Sequence, residues 1–223
     1  MAQSSRSVGF REGLRGFGPL GQFAIALIVL ATFVFVPIAA LLILLWVWLS
    51  ATPWRDIGFV RPGSWIGGLV AGVIFGIALK VAMKAVVMPY LGAPPVNATY
   101  HYMAGNARAV LEFAVYAVLG AGFAEEVVFR GYLFERLGKL LGQNAGVKFL
   151  IVLITTAIFG VAHWQQGLPG IENAAVVGFI LAAIFAVTGR LWFLMVTHAA
   201  FDLTAAAMIY FGLEEQVSRL IFH

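Results

Sequence analysis

The 223 residues contain no cysteine. A disulfide framework, a thiolate nucleophile and a cysteine-bound metal are thereby excluded. Charge is scarce as well. Only 11% of residues are Asp, Glu, Lys or Arg, where soluble domains carry about 25%. There is no HExxH, which argues against ordinary zincins. No GxSxG or Ser–Lys arrangement occurs, and the serines fall in the tail, the loops and the span ends, so a serine nucleophile is not expected. Basic residues form no stripe with interleaved aromatics, and nucleic acid is not an expected partner. No internal repeat or low-complexity stretch is present.

What remains is apolar. The chain is 62% hydrophobic with a mean hydropathy of +0.96, the composition of an integral membrane protein. Runs of about 20 apolar residues span a bilayer as helices, because backbone groups in lipid must pair within the segment. The runs lack the period-two alternation of an outer-membrane barrel. The expectation is an all-α, polytopic transmembrane helix bundle of about six spans, with residues 1–223 as a single membrane domain. The spans are expected near 22–49, 64–84, 108–134, 148–165, 172–188 and 191–212. Pro37 is expected to kink the first. That run is far longer than the ~7–15 apolar residues of a signal peptide, so the arginines before it (Arg6, Arg11, Arg15) read as flanks of an uncleaved span. Residues 50–63 and 91–106 read as loops, and 213–223 as a polar tail. Gly67, Gly68, Gly72 and Gly76 suit close helix packing.

The formal charge is +4, with the basic residues near helix ends, where they serve anchoring and topology. With six single crossings they divide five against six between the two sides, and the orientation stays open. Lys80 and Lys84 share one helix face and read as anchors snorkelling to headgroups. Glu112 reads as lying near the opposite membrane surface from Glu125, His101 as a loop residue and His223 as terminal.

Against this background several ionisable groups fall inside apolar runs. Burying a charge at a bilayer centre costs roughly 2.5–3.5 kcal/mol on insertion scales, so such groups are functional candidates. Glu126 and Arg130 are four apart on one helix face and can neutralise each other. Glu125 is rotated about 100° from Glu126 and points elsewhere. Phe159 and His163 are also four apart, so the ring can fix the imidazole. His198 and Asp202 repeat that spacing and can converge on one ion or one substrate oxygen. Two chemistries suit the set. His163, His198 and Asp202 can hold a divalent metal, zinc first, with Glu125 taking a proton from bound water. Without a metal, Glu125 and His163 can activate water while His198 and Asp202 orient the substrate or stabilise an oxyanion. Ion or proton transport is the rival reading of the same groups.

Glu125-Glu126-x-x-x-Arg130, Phe159-x-x-x-His163 and His198-x-x-x-Asp202, in this order, resemble the three motifs of the CAAX-protease and bacteriocin-processing (CPBP, or abortive-infection) family. Arg130-Gly-Tyr-Leu-Phe after the first motif and Thr188-Gly-Arg-Leu-Trp before the third agree. The resemblance covers about residues 110–205. It implies a membrane-embedded endopeptidase, with Glu125, His163, His198 and Asp202 in the active-site set and Glu126 and Arg130 as its supporting pair. Relatives cut prenylated CAAX proteins, take part in bacteriocin maturation or immunity, or act as scaffolds. The third motif often ends in asparagine; Asp202 adds a negative charge that favours a metal. The expected partners are the bilayer and a membrane-associated peptide or protein substrate, and the expected location is a bacterial or archaeal cell membrane. A non-catalytic immunity or scaffold protein of the same fold is the alternative. So is a proton- or cation-coupled transporter, which an inverted repeat would have favoured.

Overall fold

The computed structural model describes residues 2–222, with the side chains of 8–222. Arg6 as a side chain and His223 altogether lie outside the described residues. Every regular element among them is helical. In chain order they are α1 (Ala2–Arg15), α2 (Pro19–Val34), α3 (Val36–Ser50), α4 (Trp65–Tyr90), α5 (Ala107–Leu141), α6 (Ala145–Ala162), α7 (Gly167–Thr188), α8 (Leu191–Tyr210) and α9 (Glu214–Ser218). α4 to α8 are long and apolar enough to cross a membrane, α7 together with the short turn before it.

The helix starts are written in the sequence. Side chains of Ser64, Asn106 and Asn144 accept hydrogen bonds from the amides of Gly67, Ala109 and Val147, capping the first turns of α4, α5 and α6. Pro19 opens α2, where its missing N–H costs nothing.

The expected single span at 22–49 is not one helix. Phe35 adopts an extended backbone, φ −166° and ψ 110°, and α3 restarts one residue later with Pro37 in its first turn. A continuous helix would have lost the Pro37 hydrogen bond and driven its ring into a carbonyl one turn earlier. The break is a reversal rather than the expected kink. Trp46 Nε1 donates to the carbonyl of Leu14 at 3.0 Å, so the far end of α3 returns to the start of α2. α2 and α3 are a helical hairpin with Phe33, Val34 and Phe35 exposed at its tip. α1 leaves α2 at 53°.

Two ends of the bundle follow. At the first, the Arg136 guanidinium donates to the Arg15 carbonyl at 2.9 Å and stacks 4.6 Å from the Trp46 ring. The Leu191 amide donates to Gly58, joining the loop after α3 to the start of α8. At the second end, Gln166 donates to the Tyr100 hydroxyl at 3.0 Å. The Gly105 amide donates there to the Tyr210 carbonyl.

Of the glycines in α4, Gly72 and Gly76 serve close packing. A Cβ on Gly76 would meet the Thr197 carbonyl oxygen at 2.4 Å, and one on Gly72 would meet Val196 at 2.7 Å. These contacts set α4 directly against α8 and its His198. Gly68 faces open space and Gly67 meets only its own cap Ser64, so the packing role stops at two residues.

Candidate active site

α5 carries the first motif, and its middle is not an α-helix. Ala117–Glu125 and Val127–Tyr132 are π-helical. Such wide turns are uncommon and concentrate at functional sites. In an α-helix residues nine apart face opposite ways, at 100° per residue. The looser winding brings Tyr116 and Glu125 onto one face, and the Tyr116 hydroxyl donates to Glu125 Oε1 at 3.3 Å. Gly122 lets α5 approach α8, since a Cβ there would meet Ala199 and the Met195 carbonyl oxygen at 2.9 Å.

Glu126 and Arg130 pair as their spacing predicts. Arg130 Nη1 lies 2.8 Å from Glu126 Oε1, and both side chains are fully buried. Arg130 also donates to the Gly178 carbonyl and lies over the Phe159 ring, 4.5 Å from its centroid. Glu126 does more than the sequence suggested. The same Oε1 sits 2.7 Å from His198 Nδ1. With a carboxylate opposite, Nδ1 carries the proton, and the ring is turned so that Nε2 faces away from Glu126.

His198 Nε2 lies 3.9 Å from both Glu125 Oε2 and Asp202 Oδ2. That gap is too long for a hydrogen bond and suits an intervening water. Glu125 Oε2 is buried with no hydrogen-bond partner in the protein. His163 stands at the end of α6, half-buried. Its Nδ1 meets the Phe159 carbonyl at 2.8 Å; a carbonyl only accepts, so Nδ1–H donates and Nε2 is left as an acceptor. The Phe159 and His163 rings are 4.7 Å apart, the expected neighbouring pair.

Glu125, His163, His198 and Asp202 all line one cavity of about 280 Å³. Four groups from three helices are thus brought together. Glu126 and Arg130 lie behind the cavity wall. The cavity opens at the second end of the bundle, between residues 93–100, Gln166 and Glu214.

Several polar wall groups escaped the sequence reading. Lys80 and Lys84 were expected to snorkel to headgroups. Instead both line the cavity. Lys84 is buried and pairs with Glu214 at 3.1 Å, and the Lys80 ammonium sits 4.8 Å from the centre of the Phe201 ring. Glu214 also accepts from the Asn97 amide, fastening the loop after α4 to the tail. Glu214 is 130 residues from Lys84, so only the fold could reveal the pair. Burial, aided by the charge of Asp202, pushes the Tyr100 phenol up to about 12. Glu112 forms an exposed pair with Arg108 at the start of α5, at the end of the bundle where the cavity opens and not at the surface opposite Glu125, as was expected.

The divalent metal expected on His163, His198 and Asp202 finds no ready cage. Among the described residues no three His, Asp or Glu side chains are arranged to hold an ion. His198 spends Nδ1 on Glu126, and its Nε2 faces each carboxylate at 3.9 Å. The hydrogen bonds on Nδ1 leave Nε2 of both His198 and His163 free to ligate, so the metal on these residues stands as a proposal.

Searches against curated proteins and against solved structures returned no match. Residues 107–204 match the family model described as type II CAAX prenyl endopeptidase Rce1-like. That stretch contains all three motifs and every residue named above as lining the cavity from α5, α6 and α8. The matched stretch is less than half of the chain, and its family is the one that the three motifs resemble.

Proposed function

We propose that the protein is an intramembrane endopeptidase that hydrolyses a peptide bond in a membrane-associated protein or peptide. The observation that carries this reading is the unpartnered Oε2 of Glu125, 3.9 Å from His198 Nε2 in the wall of the cavity. A carboxylate oxygen in that position can accept a proton from water.

The chemistry uses the chain's own side chains. Glu125 and the free Nε2 of His163 hold the attacking water. Glu125 takes its proton as the water oxygen bonds to the scissile carbonyl carbon. His198 and Asp202 face the new oxyanion side. His198, fixed by Glu126, donates to the oxyanion from Nε2 when both its nitrogens are protonated. As the intermediate collapses, the carbon–nitrogen bond breaks, and the proton on Glu125 passes to the leaving amine. Tyr116 orients Glu125, while Arg130 neutralises Glu126. Every step here is carried by these side chains.

The test is cleavage of quenched peptides, with and without a prenyl group, by the purified protein in lipid vesicles. Turnover by the wild type and none by Glu125→Gln is the expected result. Equal cleavage by the two would sink the reading. A wild type inactive on every peptide, in a site that binds them, favours the scaffold alternative; proton or cation flux in the same vesicles favours a transporter.

A further inference from the structure

The hairpin changes the topology. Because α3 returns to the start of α2, the segment before α2 and the loop after α3 lie at the same end of the bundle. The five crossings α4 to α8 then alternate between the ends.

Basic residues can now be assigned. At the first end stand Arg11 and Arg15 before the hairpin and Arg55 and Arg61 in the loop after it. Arg136 and Lys139 close α5 there, Lys148 lies in the first turn of α6, and Arg190 precedes α8. The contacts of Arg136 with Arg15 and of Gly58 with Leu191 hold these segments together. A second, shallow cleft at this end, lined by Arg55, Lys139, Lys148 and Gly189, groups them again. At the second end, outside the cavity, stand Arg108 and Arg219, each paired with a neighbouring glutamate. The tally is eight against two, or eight against four with Lys80 and Lys84 included. All lie in short segments within about 15–20 residues of a crossing, where the excess of Lys and Arg marks the cytoplasmic side.

We infer that the basic end is cytoplasmic and that the cavity opens on the opposite, non-cytoplasmic surface. The mouth between residues 93–100, Gln166 and Glu214 then receives chain from outside the cytoplasm. For the substrate, which rests on the peptidase reading, this selects a class: a membrane-associated polypeptide that presents its cleaved segment on the non-cytoplasmic side. The carboxyl terminus of a cytoplasmic lipidated protein would meet the closed, basic end. The orientation itself does not depend on catalysis.

The absence of cysteine makes the test direct. Single cysteines are placed at exposed sites, Ala104→Cys and Leu220→Cys beside the mouth, and Gly63→Cys and Gln143→Cys at the basic end. None of the four residues belongs to the proposed chemistry. Intact cells making the full chain are treated with a membrane-impermeant maleimide. Ala104→Cys and Leu220→Cys should label without lysis. Gly63→Cys and Gln143→Cys should be protected until lysis, which removes the protection. The reverse pattern, or labelling of both pairs in intact cells, overturns the orientation. Labelling as expected in a protein that cleaves nothing would leave the orientation standing and remove the peptidase reading. Reversed labelling with Glu125-dependent cleavage would do the opposite.

Discussion

Glu125 and Glu126 are adjacent, yet their surroundings are opposed. Glu126 is fully buried behind the cavity wall and gives one oxygen to both Arg130 and His198, at 2.8 and 2.7 Å. Glu125 lines the cavity, takes only the long Tyr116 contact at 3.3 Å, and leaves Oε2 bare. One carboxylate is neutralised and ties α5 to α8. The other lines the cavity with one buried oxygen unpaired. The difference separates stability from chemistry within two residues, and each side can be disturbed alone.

The largest effect is expected on the open side. Glu125→Gln keeps the shape of the side chain but removes the proton acceptor. General-base groups contribute about 10²- to 10⁴-fold, so the rate of peptide cleavage in vesicles should fall by that much. Thermal unfolding in detergent should shift little, since Glu125 has one weak partner to lose. A large drop in unfolding temperature would place Glu125 with Glu126 among the structural groups and dissolve the contrast.

The neutralised side should respond the other way. Arg130→Ala leaves Glu126 buried without its cation, and removing one partner of a buried pair costs about 3–5 kcal/mol. It also removes the Gly178 hydrogen bond and the stacking on Phe159. Folded yield and unfolding temperature should both fall markedly, with activity lost as a consequence. A variant that is as stable as the wild type but inactive would put Arg130 among the reacting groups.

Much of this contrast was legible beforehand. The i, i+4 spacings of Glu126 with Arg130 and Phe159 with His163 report helix faces directly, and both pairs meet. The apolar runs of α4 to α8 were likewise local signals. The hairpin was not. Pro37 announces a break, but its reversal depends on Trp46 reaching the Leu14 carbonyl, a contact between residues 32 apart. The bridge from Glu126 to His198 spans 72 residues and was invisible for the same reason. The π-turns of α5 are a choice of hydrogen-bond register, which residue propensities do not encode.

Asp202 tests the boundary between the two sides with a smaller expected effect. Its carboxylate faces His198 at 3.9 Å and is only partly buried. Asparagine can still hydrogen-bond there, so Asp202→Asn should keep activity within about tenfold, roughly 1.4 kcal/mol in the barrier. Chelators should leave wild type and variant alike. Loss of turnover in Asp202→Asn, with chelator inhibition reversed by zinc in the wild type, would restore the metal that the histidines and Asp202 suggested.

The smallest effect tests how Glu125 is aimed. Tyr116 reaches it only because the helix between them is wound as π-turns; in an α-helix the two would point to opposite sides. The hydrogen bond is long, and a typical one contributes about 0.5–1.5 kcal/mol net. Tyr116→Phe removes the hydroxyl and keeps the ring against Gly120. Its kcat/KM should therefore fall by about 2- to 10-fold, from kcat rather than KM, with the unfolding temperature unchanged. The same substitution in a Glu125→Gln background should then cost nothing more, because the group that Tyr116 positions is already disabled. An equal further loss would mean that Tyr116 acts on the substrate and not through Glu125. No loss in either background would mean that the bare Oε2, rather than the hydrogen-bonded Oε1, needs no help in finding water.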